Sequence, residues 1–278
     1  MEKINQEDIG VLYVVATPIG NLEDITLRAI NILKEVDLIA AEDTRHTLKL
    51  LNHLNISKTL ISYHRHNENI KTDILIKELK QGKNIALVSD AGTPGICDPG
   101  EEVIKKCIEE DIKVISIPGP CALINALICS GLDTKEFVFI GFLPLNKKNR
   151  KEKLKEIENI TKTIILYEAP HKLEKTLKDL KEIIGNRKIV LARELTKIHE
   201  EYIREDINSL MEKAKAIKGE IVLIIEGAEK KEESDLLELS LEEHYEYYKQ
   251  KGLNKKEIIK QIAKDRNVNK NEIYQKFL

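Results

Sequence analysis

The chain has 278 residues, with 45 Lys or Arg against 47 Asp or Glu, 42% hydrophobic and 33% charged residues, and a formal net charge of −2. That length holds one large domain or two modest ones with real cores, two being the expectation, and the balance is that of an ordinary soluble globular protein. No apolar run reaches membrane-span length, MEKINQEDIG lacks a signal-peptide core, and Cys97, Cys107, Cys121 and Cys129 show no CxxC spacing, which speaks against a disulfide framework and a metal site and for a cytoplasmic address.

In chain order, strands are expected over Val11 to Thr17, Leu38 to Glu42, Ile85 to Asp90, Lys113 to Pro118 and Phe137 to Phe142. Between them, apolar residues recurring at three and four predict helices over Thr26 to Val36, Asn67 to Gln81, Glu101 to Glu110 and Ala122 to Ser130. Repeated βα order implies a parallel sheet covered on both faces. Cys107 and Cys129 fit buried helical positions. The stretch GFLPLNKKNRK, Gly141 to Lys151, shifts from apolar to Pro to basic residues and reads as a linker.

A second αβ set follows, with strands over Thr163 to Glu168, Lys188 to Glu194, Glu201 to Arg204 and Glu220 to Glu226 and helices near Leu173 to Ile184 and Ile207 to Ile217. The acidic GAEKKEESD, Gly227 to Asp235, reads as a second linker. The tail from Leu236 holds three short helical patterns, with Asn254 able to cap a helix over Lys255 to Asp265, a turn at Asn267 to Asn269 and a further helix from Lys270. Gln250 to Leu278 carries eight cations against three anions, and Asn146 to Lys155 six against one. Such clusters meet phosphates or form a solvated surface, and the tail serves equally as an RNA-binding helix–turn–helix or a dimer contact.

The strand-end loops carry the chemistry, because ligands of an open parallel sheet bind beyond its carboxyl edge. These loops are TPIGNLEDIT (Thr17 to Thr26), AEDTRHT (Ala41 to Thr47), SDAGTPGICDPG (Ser89 to Gly100) and PGPCA (Pro118 to Ala122). The third is the richest: three glycines permit unusual backbone, two prolines fix it, and Asp98 with Pro99 reads as N-cap and first helical residue. None is a GxGxxG or GxxxxGK phosphate cradle, so NAD and nucleotide triphosphates lose support. An adenosine carrying an amino-acid tail, as in S-adenosylmethionine, is compatible with loops of backbone donors and a few carboxylates such as Asp90.

TPIGNLEDIT, AEDTRHTLKLL, SDAGTPGICDPG, IPGPCALINAL, GFLP, YEAPHKL and ARELTKIHEE, in this order, resemble the family of 16S ribosomal RNA cytidine 2′-O-methyltransferases, within the tetrapyrrole methylase superfamily. The resemblance runs from Val11 to Glu226, and the tail looks like the family's C-terminal extension. It implies a tetrapyrrole methylase-like two-domain α/β fold: a parallel-sheet N-terminal domain (1–143), a mixed-sheet C-terminal domain (144–228) and a helical tail (235–278). It further implies a cytoplasmic homodimer that holds S-adenosylmethionine between its domains, requires no metal, and methylates a cytidine 2′-OH in the decoding centre of the small ribosomal subunit's 16S rRNA.

The superfamily's cofactor positions match Pro18 and Gly20, Asp90 with Gly92, Thr93 and Pro94, Cys121 with Ala122, and Tyr167, Glu168 and Leu195. Cys121 departs from the usual Ser or Thr, which puts a side-chain hydrogen bond there in doubt. Catalytic candidates are Asp43 and Arg45, either a base and phosphate ligand or a buried ion pair holding a loop; His171, either functional or a helix-start cap; and Glu194 and Lys197 beside His199 and Glu200, a cleft-facing cluster or a solvated strand edge. Arg193 could serve RNA phosphate or an internal carboxylate, and His64, Arg65 and His66 form a basic loop that could touch RNA. The Lys-Asp-Lys-Glu tetrad of Rossmann-type 2′-O enzymes cannot be placed, so the base stays open. Rival readings are a tetrapyrrole C-methyltransferase and a non-enzymatic RNA-binding assembly protein.

Overall fold

The computed structural model describes residues 9–229, 236–237 and 239–277, so the N-terminal MEKINQED and most of the acidic linker, Lys230 to Asp235, lie outside the described residues. The chain forms two compact units, one ending at Ala228 and one beginning at Glu229.

In the first unit, β1 (Leu12–Val15), β2 (Leu38–Ala41), β3 (Thr59–Ser62), β4 (Ile85–Val88) and β5 (Val114–Ile117) make a parallel sheet in the order β3-β2-β4-β1-β5. All four residues of β4 are buried because its alternating side chains face two layers. Ile85 and Leu87 pack with Leu75, Leu79 and Val103 of α3 (Glu68–Lys80) and α4 (Glu101–Glu109), while Ala86 and Val88 pack with Leu33 and Leu51 of α1 (Leu27–Glu35) and α2 (Thr44–His53). Truncating Leu87 here would cost about 2–5 kcal/mol.

The second sheet runs β6-β7-β10-β8-β9, built from β6 (Phe137–Phe142), β7 (Thr163–Glu168), β8 (Lys188–Arg193), β9 (Glu201–Asp206) and β10 (Ile221–Ile225). Only the β6–β7 pairing is parallel, so the sheet is mixed. One face is covered by α6 (Lys147–Glu158), α7 (Pro170–Ile184) and α8 (Ile207–Lys213). Leu123, Ala126 and Leu127 of α5 (Ala122–Ile128), which follows β5, cover the other. This crossing of α5 onto the second sheet joins the two halves into one unit.

Several elements depart from the expected ones. Phe137–Phe142, read with the first-half strands, pairs with β7 of the second sheet, and the parallel sheet is completed by Thr59–Ser62 at its edge. The supposed linker after Gly141 is largely helix α6, held by the Asn146 side chain accepting from the Lys148 and Asn149 amides. Its Arg150 is buried on Asp179 and Thr176 (2.7 and 2.8 Å), so part of that basic run faces inward. Asp98 and Pro99 do not begin α4; Gly100 caps it at φ 147°, where a Cβ would come within 3.0 Å of Leu87, so the turn's close approach sets the start. Cys107 is buried as expected, whereas Cys129, one residue past α5, is exposed.

Among its described residues the second unit holds the helices α9 (Leu241–Gln250), α10 (Lys255–Asp265) and α11 (Lys270–Lys276), around Ile258, Ile259, Ile262 and Ile273. Asn254 caps α10 as its sequence predicts, and Glu257 returns the bond to complete a capping box. Asn267 takes the left-handed turn at φ 50°.

Candidate active site

At the carboxyl edge of the parallel sheet the strand-end loops are tied to one another. Thr17 and Gly92 exchange main-chain hydrogen bonds (2.8 and 3.0 Å), and the Thr17 hydroxyl donates to the Ser89 carbonyl at 3.1 Å. The Thr93 hydroxyl donates to the Pro120 carbonyl at 3.2 Å, which joins the third loop to the fourth. The Asn21 amide donates to Thr196 Oγ1 at 3.1 Å, and a Cβ on Gly20 would meet the Lys197 side chain at 2.5 Å. That last pair fastens the first loop to the turn after β8.

These loops and the second sheet enclose a cleft of about 330 Å³. Ile19, Ile96, Phe142, Leu195, Ile221 and Val222 give it apolar walls, and Thr93, Cys97, Asp98, Cys121, Tyr167, Glu168 and Glu220 supply polar atoms. At one wall Tyr167 Oη accepts from the Leu123 amide at 3.2 Å and its ring meets those of Phe139 and Phe142 edge-on. Burial raises the phenol's pKa, so it stays neutral. Gly141 sits at a bulge in β6 with φ +71°, and a Cβ there would lie 2.7 Å from Cys97 Sγ; only glycine lets β6 approach the third loop so closely.

Of the expected cofactor residues, Gly92, Thr93, Cys121, Ala122, Tyr167, Glu168 and Leu195 line this cleft. Pro18, Gly20, Asp90 and Pro94 stand in the same loops but outside the lining. Asp90 Oδ1 accepts the Asp43 amide at 3.0 Å, and the Asp90 amide donates to Glu42 at 3.4 Å. Glu168 is buried, accepts from the Ala169 amide at 2.8 Å and bonds the Thr176 hydroxyl, which in turn receives Arg150.

None of the expected catalytic residues belongs to the cleft's lining. Asp43 caps α2 through the Arg45 amide (2.8 Å) and pairs with the Arg45 guanidinium at 2.7 Å, which holds its carboxyl well below the usual range. The pair is not buried: Arg45 is 87% exposed. His171 is exposed on the first turn of α7, after Pro170. Glu194, at φ 50°, accepts from the Glu220 amide (3.0 Å) and Lys197 (3.1 Å), which lower its pKa; Lys197 also reaches Glu220 at 3.1 Å. Those two residues bind the β8 turn to the start of β10. Arg193 pairs with Glu201 at 2.6 Å, an internal carboxylate.

The family model for tetrapyrrole (corrin/porphyrin) methylases matches residues 11–211. "Ribosomal RNA small subunit methyltransferase I" of Halalkalibacterium halodurans is 51% identical over 97% of this chain and 95% of its own, and its Bacillus subtilis namesake 48% identical over 97% and 94%. This chain belongs to the ribosomal RNA small subunit methyltransferase I family of tetrapyrrole methylases. The fold is shared more widely: the uroporphyrin-III-C-methyltransferase structure from Thermus thermophilus, 18% identical, superposes with a TM-score of 0.57 over 78% of this chain and 94% of that one.

As a member of this methyltransferase family, the chain uses S-adenosylmethionine, and the cleft fits that molecule chemically. Its apolar walls suit a purine face, and the carboxylates of Glu168 and Glu220 suit the sulfonium and ammonium charges. Sequence reading missed Asp98 as a wall residue, along with Ile96, Phe142, Glu220 and the adjacent Glu42. A second aspartate inside a twelve-residue glycine–proline loop was the available signal for Asp98; Glu220 and Phe142 reach the cleft only through sheet pairing. Burial, then the charges of Glu42 and Asp90, push the Asp98 carboxyl up to about 6, while Arg65 opposes the shift. Burial likewise raises Glu42.

Proposed function

We propose that this enzyme transfers the methyl group of S-adenosylmethionine to the 2′-hydroxyl of a cytidine in the decoding centre of 16S rRNA, acting on the small ribosomal subunit as a cytoplasmic homodimer without a metal. The observation that carries the reading is near-full-length identity of about half to proteins named for small-subunit rRNA methylation, tail included.

Bound in the cleft, the cofactor would supply a methyl carbon already activated by a sulfonium. Pro18, Gly20, Asp90, Gly92, Thr93, Pro94, Cys121, Ala122, Tyr167, Glu168 and Leu195 would hold it, some as lining and some through the loop frame outside it. Much of the acceleration then comes from alignment, which the bonded loops favour because they fix the wall before substrate arrives. Asp43, Arg45, His171, Glu194 and Lys197 stand outside the cleft's lining, where they would order loops or meet rRNA. Arg45, exposed and cationic, suits a phosphate. The tail's cations would add salt-dependent affinity for RNA.

The test is incubation with labelled S-adenosylmethionine and small subunits lacking the modification, followed by nuclease digestion and mass spectrometry. Label on a cytidine ribose is expected. Label on a base or on a porphyrin, or failure to bind S-adenosylmethionine in calorimetry, would overturn the reading.

A further inference from the structure

We propose that Asp98 is the catalytic proton acceptor: its carboxylate takes the ribose hydroxyl proton as the 2′-oxygen bonds to the methyl carbon and the carbon–sulfur bond breaks with its electron pair left on sulfur. The inference rests on the 2′-O-methylation reading above.

Three carboxylates line the cleft, and two are already engaged. Glu168 is tied to the Ala169 amide and Thr176, and Glu220 to Lys197. Asp98 makes no hydrogen bond to a cation or to a backbone amide among the described residues; its polar neighbour is the Ser89 hydroxyl. It therefore keeps lone pairs free to accept a proton. Its backbone is fixed on both sides: Cys97 is held at φ 64° with its carbonyl bonded by Arg65, and Gly100 is packed on Leu87 and bonded through its amide to Glu68 at 3.1 Å. A base so anchored meets the positional demand of proton transfer.

Its electrical surroundings suit the role. Glu42 from the end of β2, Asp90 from the loop after β4, and the Cys97 thiol and Tyr167 phenol are the titratable groups around it; Arg65, from the segment after β3, is the facing cation, and His64 faces Glu42. With its pKa at about 6, Asp98 is ionised at neutral pH yet more basic than an ordinary aspartate.

Single-turnover methylation of unmodified small subunits, followed from pH 5 to 9, tests the assignment. Wild type should lose rate about tenfold per pH unit below the Asp98 pKa. Asp98→Asn should be at least ~100-fold slower at pH 7.5 and lack that limb, with its S-adenosylmethionine Kd within about threefold of wild type; Asp98→Glu should restore part of the rate. Glu42→Gln, which removes a neighbouring negative charge, should move the limb to lower pH. Carbon-13 NMR of aspartate carboxyls in the ligand-free protein should show a signal titrating near 6 that Asp98→Asn abolishes. Asp98→Asn within threefold of wild type with the limb intact would overturn the inference. So would a rate loss matched by lost cofactor affinity, which would make Asp98 a ligand. Wild type labelling a base instead of a ribose would remove the reading and the inference together.

Discussion

The α-carbon of Gly219 rests on the carboxylate of Glu194: a Cβ there would lie 2.5 Å from Glu194 Cγ and 2.6 Å from Cδ, at a backbone φ of +91°. Both faults fall on one substitution. Gly219→Ala should destabilise the protein by about 2–3 kcal/mol, combining left-handed strain with displacement of a bonded carboxylate. At about 2–4 °C per kcal/mol for a unit of this size, thermal denaturation should show a loss of about 4–12 °C.

Glu194 itself carries the pH dependence of that junction. Its pKa in the folded protein lies below the ordinary value of 4.5, chiefly because it accepts the Glu220 amide, with burial opposing and Lys197 assisting. A carboxyl depressed by folding contributes stability that is complete above its unfolded pKa and is lost as pH falls through the folded one. Glu194→Gln should therefore cost about 1–2 kcal/mol at pH 7 and progressively less below pH 4.5. Urea denaturation of both proteins at pH 7 and 4 measures the difference.

Cys121 stands at the N-cap of α5 with extended backbone (φ −146°, ψ 109°) and no side-chain capping bond. A serine hydroxyl there can accept an amide of the first turn. Cys121→Ser should raise stability by about 0.5–1 kcal/mol, seen as a higher melting temperature.

Arg45 is exposed and, among the described residues, paired only with Asp43. Arg45→Ala should leave cofactor affinity and melting temperature almost unchanged, raise KM for small subunits several-fold, and lower the slope of log affinity against log salt by about one. An unchanged KM would show that this cation does not meet RNA.

In the helical tail, His244 is fully buried, with Nε2 3.2 Å from Asp265 and Nδ1 receiving Arg266 Nε at 3.2 Å; Tyr248 and Gln261 complete the group through Asp265. Burial lowers the imidazole's pKa below 6.5. Since the unfolded chain then binds the proton more tightly, the tail's stability is complete above 6.5 and is lost as pH falls through the folded value. Hydrogen exchange of peptides from 239–277 should accelerate between pH 6.5 and 5 beyond the intrinsic rate change, and His244→Gln should flatten that response.

Ile85 to Val88 was legible because a run buried on both faces needs no partner to be recognised, and Asn254 because a cap and its helix are neighbours in sequence. Thr59–Ser62 was missed: an edge strand with one exposed and three half-buried residues carries little pattern. Helix α2 hid inside a motif read for its chemistry, and Phe137–Phe142 has a strand's pattern whichever sheet it joins, since pairing is set by distant residues. The cleft was legible where a residue sits in its own loop, as Gly92, Thr93 and Cys121 do. Glu220 and Phe142 reach it through strands that meet only in the folded second sheet. Asp98 was seen as a cap because the local Asp-Pro signal is the stronger one, and the glycine that displaces it acts through contact with Leu87.

The reciprocal amide–carbonyl bonds between Thr17 and Gly92 use no side-chain atom. Substitutions that spare the glycines of these loops, Gly20, Gly92 and Gly100 among them, can accumulate without breaking those two bonds. A lineage built on this frame can thus exchange one methyl acceptor for another by altering the groups that project from it, while the chamber that receives the methyl donor is inherited intact.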